Sequence, residues 1–373
     1  MKFTIDREAL LKSISHAQSI VERRNTIPIL ANVLLRAEEN GLVEITATDM
    51  DIGIIEKVPA GVAQAGAVTV PAHTLFEIVR KLEDGAQIEL GGASESGQIE
   101  LRSGRSSLKL STLPSEDFPT VSQEDLPTEF FISADLLRSL IDRTRFAIST
   151  EETRYYLNGI YLHAAVGLKG QVLRSVATDG HRLALMEIPL PSEAENMPGV
   201  IVPRKTVNEL RKLLDEVTGE VLIKLSETRI QFAIDGIDLS SKLIDGTFPD
   251  YDRVIPDGNE KVMIVDRKRF ERAVDLVSTI SNEKSRAIKL TLSDNSLVLS
   301  ATSPESGSAT EELEAKYPDD KLEIGFNSRY LIDITQQING DFARFELSDG
   351  ASPTVMREVE ESDALYVLMP MRV

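Results

Sequence analysis

The chain has 373 residues, 42% hydrophobic and 27% charged, a mixture expected of a folded protein with two or three domains. It has no cysteine, which excludes disulfides and thiolate metal sites, and no apolar run approaches the ~20 residues of a membrane helix. The net charge of −19 argues against general adhesion to nucleic acid, although a local basic surface can exist within an acidic total. The opening residues carry acids and lack an apolar stretch typical of a signal peptide, so we expect a cytoplasmic protein.

The first predicted element is a strand that runs into a helix, and this pattern occurs three times. F-T-I-D-R-E-A-L-L-K-S-I begins at position 3, F-F-I-S-A-D-L-L-R-S-L-I at position 130, and V-M-I-V-D-R-K-R-F-E-R-A at position 262. A second strand-to-helix corner follows in each copy, as V-T-V-P-A-H at 68, V-I-V-P-R-K at 200 and E-I-G-F-N-S at 323. The chain therefore repeats one supersecondary unit.

Two further markers support three domains. The tripeptides A-T-D, A-T-D and A-T-S begin at 47, 177 and 301, and S-T-L with a later F-P at 111 matches S-K-L with a later F-P at 241. Proline- and acid-rich links separate the copies, which predicts domains at 1–124, 125–255 and 256–373. Alternating segments such as 43–46 and 297–300 indicate antiparallel strands with one solvated face. We predict an α+β fold in which each domain is a sheet with two helices on one side.

The six predicted helices carry the scarce positive charge. In the first helix a narrow apolar arc holds Leu10, Ile14 and Ala17, and the opposite arc holds Lys12 and His16, which predicts an outward-facing His16. The six helix windows sum to +6, so the rest of the chain must carry −25 to reach −19. This separation favours a shared, basic helical surface over six independent solvated faces. The windows are 7–24, 72–81, 134–146, 204–216, 266–276 and 328–338.

Helix width links this surface to an oligomer. Six helices of ~10 Å width, side by side in a circle, would leave a lumen of roughly 10 Å, and twelve would leave roughly 28 Å. A DNA duplex, with two grooves each roughly 8 Å deep, is about 20 Å across and fits only the larger circle. Two chains of three domains supply twelve helices. If the helices line a ring, the sequence predicts a dimer.

Several ordered strings resemble the bacterial DNA polymerase III beta subunit, the sliding clamp, and the resemblance spans the whole chain. They are R-Y-Y-L-N-G from 154, A-T-D-G-H-R-L-A from 177, V-P-R-K from 202, F-P-D-Y from 248, I-S-N-E-K from 280 and V-L-M-P-M-R-V from 367. The resemblance implies a head-to-tail homodimeric ring around duplex DNA. Such a ring tethers the replicative polymerase, is placed by a clamp loader using ATP, and needs no cofactor.

The resemblance also implies two sets of binding residues. DNA contacts that bind phosphates or stack on bases without reading sequence would come from Arg24, His73, Tyr155, Tyr156, Arg204 and Lys205. His73 and Glu151 depart from the family pattern, in which an arginine and a neutral amide are expected, and both changes should weaken static DNA contact. A groove for short peptides of polymerases and other clamp-binding-motif proteins would be formed by Leu157, Thr178, Gly180, His181, Arg182, Leu183, Pro249, Arg253, Val254, Val367, Met369, Pro370, Met371 and Arg372.

Two other functions are compatible with parts of the sequence. A clamp-fold scaffold that binds proteins without being loaded on DNA would show the same repeats. A hydrolase could use Asp179 and His181 for acid–base chemistry, but a strand-end Asp-Gly is usually a turn and the other two copies lack the histidine. No helix-face pair among the four histidines indicates a metal site, and neither a phosphate-binding glycine loop nor a G-x-S-x-G motif is found. We expect a protein without catalytic activity.

Overall fold

The structure is a computed structural model, and it describes residues 1–23, 26–92, 97–119, 125–168, 170–282, 285–360 and 362–372. The chain separates into two compact units. The first unit contains residues 1–135, 192–197 and 205–243, and the second contains residues 136–191, 198–204 and 244–373.

Each α-helix among the described residues begins directly after a strand, which confirms the predicted strand-to-helix corners. Proline precedes two of the helices, and a side-chain cap begins two others: the carboxylate of Asp266 accepts the amide of Arg269, and the side chain of Asn327 accepts the amide of Arg329. The helices are α1 Arg7–Ile20, α2 Ala72–Lys81, α3 Ala134–Asp142, α4 Arg204–Leu214, α5 Arg267–Ser278 and α6 Ser328–Thr335.

The strands alternate buried and more exposed side chains, as in Ala287–Ser293, where Ile288, Leu290 and Leu292 are buried. In chain order the strands are β1 Lys2–Asp6, β2 Asn32–Ala37, β3 Leu42–Thr48, β4 Ile52–Pro59, β5 Gly61–Gln64, β6 Gly66–Pro71, β7 Gln87–Gly91, β8 Gln98–Ser103, β9 Ser106–Ser111, β10 Thr128–Ser133, β11 Gly159–Gly167, β12 Gly170–Thr178, β13 Arg182–Pro189, β14 Val200–Pro203, β15 Glu220–Leu225, β16 Arg229–Ile234, β17 Ile237–Lys242, β18 Lys261–Asp266, β19 Ala287–Ser293, β20 Ser296–Ser303, β21 Gly307–Lys316, β22 Leu322–Asn327, β23 Phe342–Leu347, β24 Thr354–Glu358 and β25 Ala364–Leu368.

The first unit contains two antiparallel sheets. One has the order β5-β1-β7-β8-β9, and the other has the order β10-β15-β16-β17-β4-β3-β2-β6. In the larger sheet a strand of the first repeat pairs with a strand of the second, with Ile54 opposite Leu239. This pairing hides two strand edges that would otherwise expose unpaired backbone groups.

The second unit contains one continuous antiparallel sheet of twelve strands, in the order β14-β11-β12-β13-β25-β24-β23-β18-β21-β20-β19-β22. Here a strand of the second repeat pairs with the last strand of the third, with Leu183 opposite Val367. The prediction of one sheet within each repeat is therefore wrong for the first and second repeats, whose strands each divide between two sheets. The strands of the third repeat all lie in the twelve-stranded sheet, together with strands of the second.

The first helix packs as predicted except at one residue. Leu10, Ile14 and Ala17 are buried, and Lys12 is exposed. His16, which was predicted to face outward, is only 9% exposed because its two ring nitrogens lie 2.9 Å from Glu56 and 3.2 Å from Glu216. No helix within the described ranges is long and apolar enough to cross a membrane.

Candidate partner-binding site

A tight turn between β12 and β13 lies at the centre of the predicted partner groove. The hydroxyl of Thr178 donates to the carbonyl of Arg182 at 2.7 Å, and one oxygen of the Asp179 carboxylate accepts the amides of His181 and Arg182. Gly180 has a φ of +87°, and a Cβ at this position would lie 2.5 Å from the guanidinium of Arg154. The positive φ favours glycine at this position, and the His181 side chain is exposed.

The side chain of Arg182 is buried and has several partners. Its guanidinium pairs with Asp179 at 3.1 Å and with Asp333 at 2.6 Å, and it donates to the carbonyl of Phe146 at 2.6 Å. It also lies 4.4 Å from the ring centroid of Tyr330, close enough for a cation–π interaction. These contacts join the turn to α6 and to the segment after α3, so Arg182 fixes the position of the turn.

The last residues of the chain are fixed beside this turn. β25 pairs with β13, and the ladder continues past the end of the strand through a 2.9 Å hydrogen bond from the Met369 amide to the carbonyl of His181. The Met371 amide donates to the carbonyl of Gly325 at 2.8 Å. Met369 is exposed, and Pro370 and Met371 are half-buried. A flexible apolar side chain therefore lies next to His181, where it can adapt to different ligands.

An apolar cluster forms the base of the groove. Leu157, Leu183 and Val367 are buried together with Phe248 and Tyr251, two rings that were not among the predicted groove residues although their neighbour Pro249 was. The Tyr251 hydroxyl accepts a hydrogen bond from Arg174 and lies 2.8 Å from His163 Nε2, and burial raises the pKa of this tyrosine. Both rings belong to the string F-P-D-Y at 248, which was the signal that could have included them.

Exposed side chains complete the predicted set. Val254 follows Tyr251 on a short 3-10 turn and is 41% exposed. Arg253 extends into solvent and pairs with Asp250 at 2.7 Å, and Pro249 and Arg372 are also exposed. All predicted groove residues belong to the second unit. The arrangement combines a rigid apolar base with exposed apolar side chains, which suits the binding of a short extended peptide.

Comparisons with known proteins identify the family. Models of the DNA polymerase III beta subunit match the chain in order, the N-terminal domain over residues 1–122, the central domain over 131–250 and the C-terminal domain over 252–372. The beta sliding clamps of Caulobacter vibrioides and Escherichia coli are 48% and 36% identical to it over the full length of both chains. A sliding clamp from Bartonella birtlesii, solved with griselimycin bound, superposes with a TM-score of 0.97 at 50% identity over the whole of both chains.

The chain belongs to the DNA polymerase III beta subunit family. It is a sliding clamp, a processivity factor for DNA polymerase III, and this family has no catalytic activity of its own. The prediction of three tandem clamp domains is confirmed. The boundaries after residues 124 and 255 remain predictions, and the first of them falls next to residues outside the described ranges.

The DNA-contact residues predicted for this sliding clamp lie in both units. Tyr155 is 53% exposed in the second unit, and its ring packs edge-to-face on Tyr156 with centroids 5.7 Å apart. Arg204 is exposed in the same unit, and Glu151, one of the two departures from the family pattern, pairs with Arg154 at 2.7 Å. The ion pair offsets the negative charge of Glu151.

Two of the three predicted DNA contacts of the first unit are engaged with protein groups. The Lys205 ammonium pairs with Asp49 and donates to the carbonyl of Ile20 at 3.0 Å. A ring nitrogen of His73 lies 3.2 Å from the carbonyl of Val21, at the end of α1. Arg24, the remaining predicted contact, lies outside the described residues.

The structure does not support Asp179 and His181 as a catalytic pair in the turn between β12 and β13. One oxygen of the Asp179 carboxylate accepts backbone amides and the other pairs with Arg182, while the His181 ring stacks on Tyr330 with centroids 6.2 Å apart. Within the described ranges no carboxylate binds the His181 ring, as a general base would require. The same ranges contain no group of three or more histidines and carboxylates that could hold a metal ion.

Proposed function

We propose that this clamp acts as a head-to-tail homodimeric ring that encloses duplex DNA without reading its sequence. A clamp loader using ATP opens the ring and places it on DNA in the cytoplasm. The observation that carries the proposal is the full-length similarity to sliding clamps, with two helices in each of three domains. Twelve helices from two chains suit a lumen of roughly 28 Å, wide enough for the duplex.

Enclosure, rather than tight binding, retains the DNA in this proposal. Tyr155 and Tyr156 offer a stacking surface, and Arg204 offers an exposed cation; Arg24, Lys205 and His73 supply further contacts. Several of these groups already have protein partners, so their contacts with phosphate should be weak and interchangeable. A ring that slides benefits from such contacts because each can be broken without releasing the DNA.

The replicative polymerase and other replication and repair proteins dock through short peptides in the groove of the second unit. Support comes from the exposed apolar surfaces of Val254 and Met369 above the buried cluster of Leu157, Leu183 and Val367. A small groove of this type gives modest affinity, which allows partners to exchange.

A topological experiment tests enclosure. The protein is loaded with a clamp loader onto nicked circular DNA, and the circle is then cut at one site. We expect the protein to stay bound to the circle and to leave after cutting, since it can slide off a free end. Retention after linearisation, or a monomeric mass by light scattering at micromolar concentration, would show that the ring mechanism is wrong.

A matched pair of variants tests the groove. Val254→Ala removes an exposed apolar contact inside the groove, and Val166→Ala removes one from β11 outside it. We expect Val254→Ala to weaken the binding of a peptide with Leu and Phe anchors by about threefold to tenfold, measured by fluorescence anisotropy, and Val166→Ala to leave it unchanged. Equal effects of the two variants would mean that the peptide binds elsewhere.

A further inference from the structure

A cavity of about 450 Å³ in the second unit is lined by a concentration of arginines that contrasts with the net charge of −19. Two of them already have carboxylate partners: Arg182 pairs with Asp179 and Asp333, and Arg145 pairs with Asp142 at 3.2 Å. The five arginines of the lining are Arg145, Arg182, Arg204, Arg286 and Arg329.

The other three arginines are exposed and available. Among the residues that the structure describes, no carboxylate pairs with Arg204, Arg286 or Arg329. The two carboxylates of the lining are already neutralised, since Asp179 pairs with Arg182 and Glu151 pairs with Arg154. Among the described residues, the carboxylates that line the cavity therefore leave an excess of positive charge.

The backbone holds two of these arginines in place. The carbonyl of Arg286 accepts the amide of Ser328 at 2.8 Å, and the amide of Arg329 donates to the Asn327 side chain at 3.0 Å in the first turn of α6. Planar guanidinium groups match the two oxygens of a carboxylate and can bind it through paired hydrogen bonds. The expected ligand is an anion, bound at the mouth of the cavity.

The cavity adjoins the proposed peptide groove because the two share His181 and Arg182. His181 also binds the Met369 amide through its carbonyl, so one turn separates the apolar groove from the arginines. A peptide whose apolar anchors occupy the groove would carry its flanking residues toward the cavity. A space of about 450 Å³ accommodates side chains of a peptide and excludes a DNA duplex.

We infer that this cavity binds acidic side chains that flank the apolar anchors of docked partner peptides, with Arg286 and Arg329 as the carboxylate-binding groups. The inference rests on the proposed function of the groove and adds a charge preference to it. Apolar anchors alone would give modest affinity, and the flanking carboxylates would distinguish partners that share the same anchors.

Two synthetic peptides test the inference in the full-length protein. Both contain the anchor segment Leu-Ala-Leu-Phe; one has two glutamates before it and the other has two glutamines. We expect the glutamate peptide to bind about tenfold more tightly at low salt, measured by fluorescence anisotropy, because each charge-assisted hydrogen bond adds to the affinity. Raising the salt concentration should reduce this difference.

The double variant Arg286→Gln, Arg329→Gln should abolish the preference while leaving the affinity for the glutamine peptide unchanged. Arg105→Gln, which removes an exposed arginine from the β8–β9 turn of the first unit, is the matched control and should keep the preference. Equal binding of both peptides to the unmodified protein, or a preference that survives the double variant, overturns the inference and leaves the groove intact. If neither peptide binds, the proposed groove itself is wrong.

The competing ligand is a nucleic-acid strand. A single-stranded oligonucleotide is therefore measured against the same variants. The inference predicts that the double variant alters peptide preference far more than oligonucleotide affinity. The reverse result, with oligonucleotide binding lost and peptide preference retained, would assign the arginines to phosphate binding and overturn the inference.

Discussion

Two turns occupy equivalent positions in the first and second repeats, at 48–52 and 178–182, and share one backbone design. In both, the threonine hydroxyl donates to the carbonyl four residues later, at 2.9 Å in the first and 2.7 Å in the second. In both, the aspartate carboxylate accepts the amides of the last two residues. Both place the third residue at positive φ, 83° at Met50 and 87° at Gly180.

The side chains of the two turns have diverged. The last position is Ile52 in the first turn, a buried core residue, and Arg182 in the second, a buried ion-pair centre. The second carboxylate oxygen of the aspartate also has a different partner in each turn. That of Asp49 pairs with Lys205, and that of Asp179 pairs with Arg182. The hydrogen-bonded turn is thus common to both copies, and the second copy carries residues of the proposed peptide groove.

The substitution Arg182→Ile, which makes the second turn resemble the first, should have the largest effect. It leaves Asp179 and Asp333 without their cation and the Phe146 carbonyl without its donor. Breaking a buried pair in this way costs about 3–5 kcal/mol. Chemical denaturation should show this loss, while Arg372→Ile at an exposed position should have little effect. A second turn that accepts isoleucine without loss would show that the ion pairs do not hold it.

Exchanging the third residues of the turns should have a smaller effect. Gly180→Met forces a side chain into positive φ and into the space of the Arg154 guanidinium, and we expect it to destabilise the protein by about 1–2 kcal/mol. Met50→Gly relieves a similar conformation, so its effect on the free energy of unfolding should lie within about 1 kcal/mol of zero. Equal losses from both changes would mean that the two turns differ in more than their contacts.

Much of this fold could be predicted because its signals are local. The spacing of Leu10, Ile14 and Ala17 predicted the buried face of α1, and the repeated strand-to-helix corners predicted three domains. Pairing between repeats could not be predicted, because alternation shows which face of a strand is buried and not which strand lies beside it. Ile54 opposite Leu239 and Leu183 opposite Val367 are such pairs.

The polar partners of buried side chains could not be predicted from a local sequence pattern either. His16 lies on the arc opposite the apolar residues of α1, and nothing nearby in sequence indicates that Glu56 and Glu216 surround it. The residues of the candidate groove, Arg182 among them, were predicted from the resemblance of the sequence to the beta subunit family. Only the structure shows that its guanidinium is already occupied by protein groups. Contacts between distant parts of the chain decide both cases.

The ion pair of Lys205 with Asp49 in the first turn should contribute less to the free energy of unfolding than the ion pairs of Arg182 in the second. Lys205 is about one-third exposed, so solvent screens its pairing with Asp49, and we expect Lys205→Met to destabilise the protein by about 1 kcal/mol or less. Lys212→Met, which removes a still more exposed pair with Glu209, is the control and should change stability even less. A loss as large as that of Arg182→Ile would break the contrast between the two turns.

A buried histidine, His16, and a half-buried one, His163, give the two units different responses to pH. Burial lowers the pKa of His16, but the hydrogen bonds and charges of Glu56 and Glu216 outweigh it and raise the pKa above the ordinary value of 6.5. Burial and the nearby positive charge of Arg174 lower the pKa of His163 below the same value. The first unit therefore favours a protonated histidine, and the second favours a neutral one.

The two histidines should give opposite pH dependence. The stabilisation from His16 is fully present below about pH 6.5 and is lost as the pH rises through its raised folded pKa. The stability that depends on neutral His163 is fully present above about pH 6.5 and is lost as the pH falls toward its lowered folded pKa. The free energy of unfolding of the unmodified protein, measured from about pH 5.5 to 8.5 beside His16→Asn and His163→Asn, separates the two contributions. The advantage over His16→Asn should shrink with rising pH, and the advantage over His163→Asn should grow; slopes of the same sign would contradict the opposite protonation of the two sites.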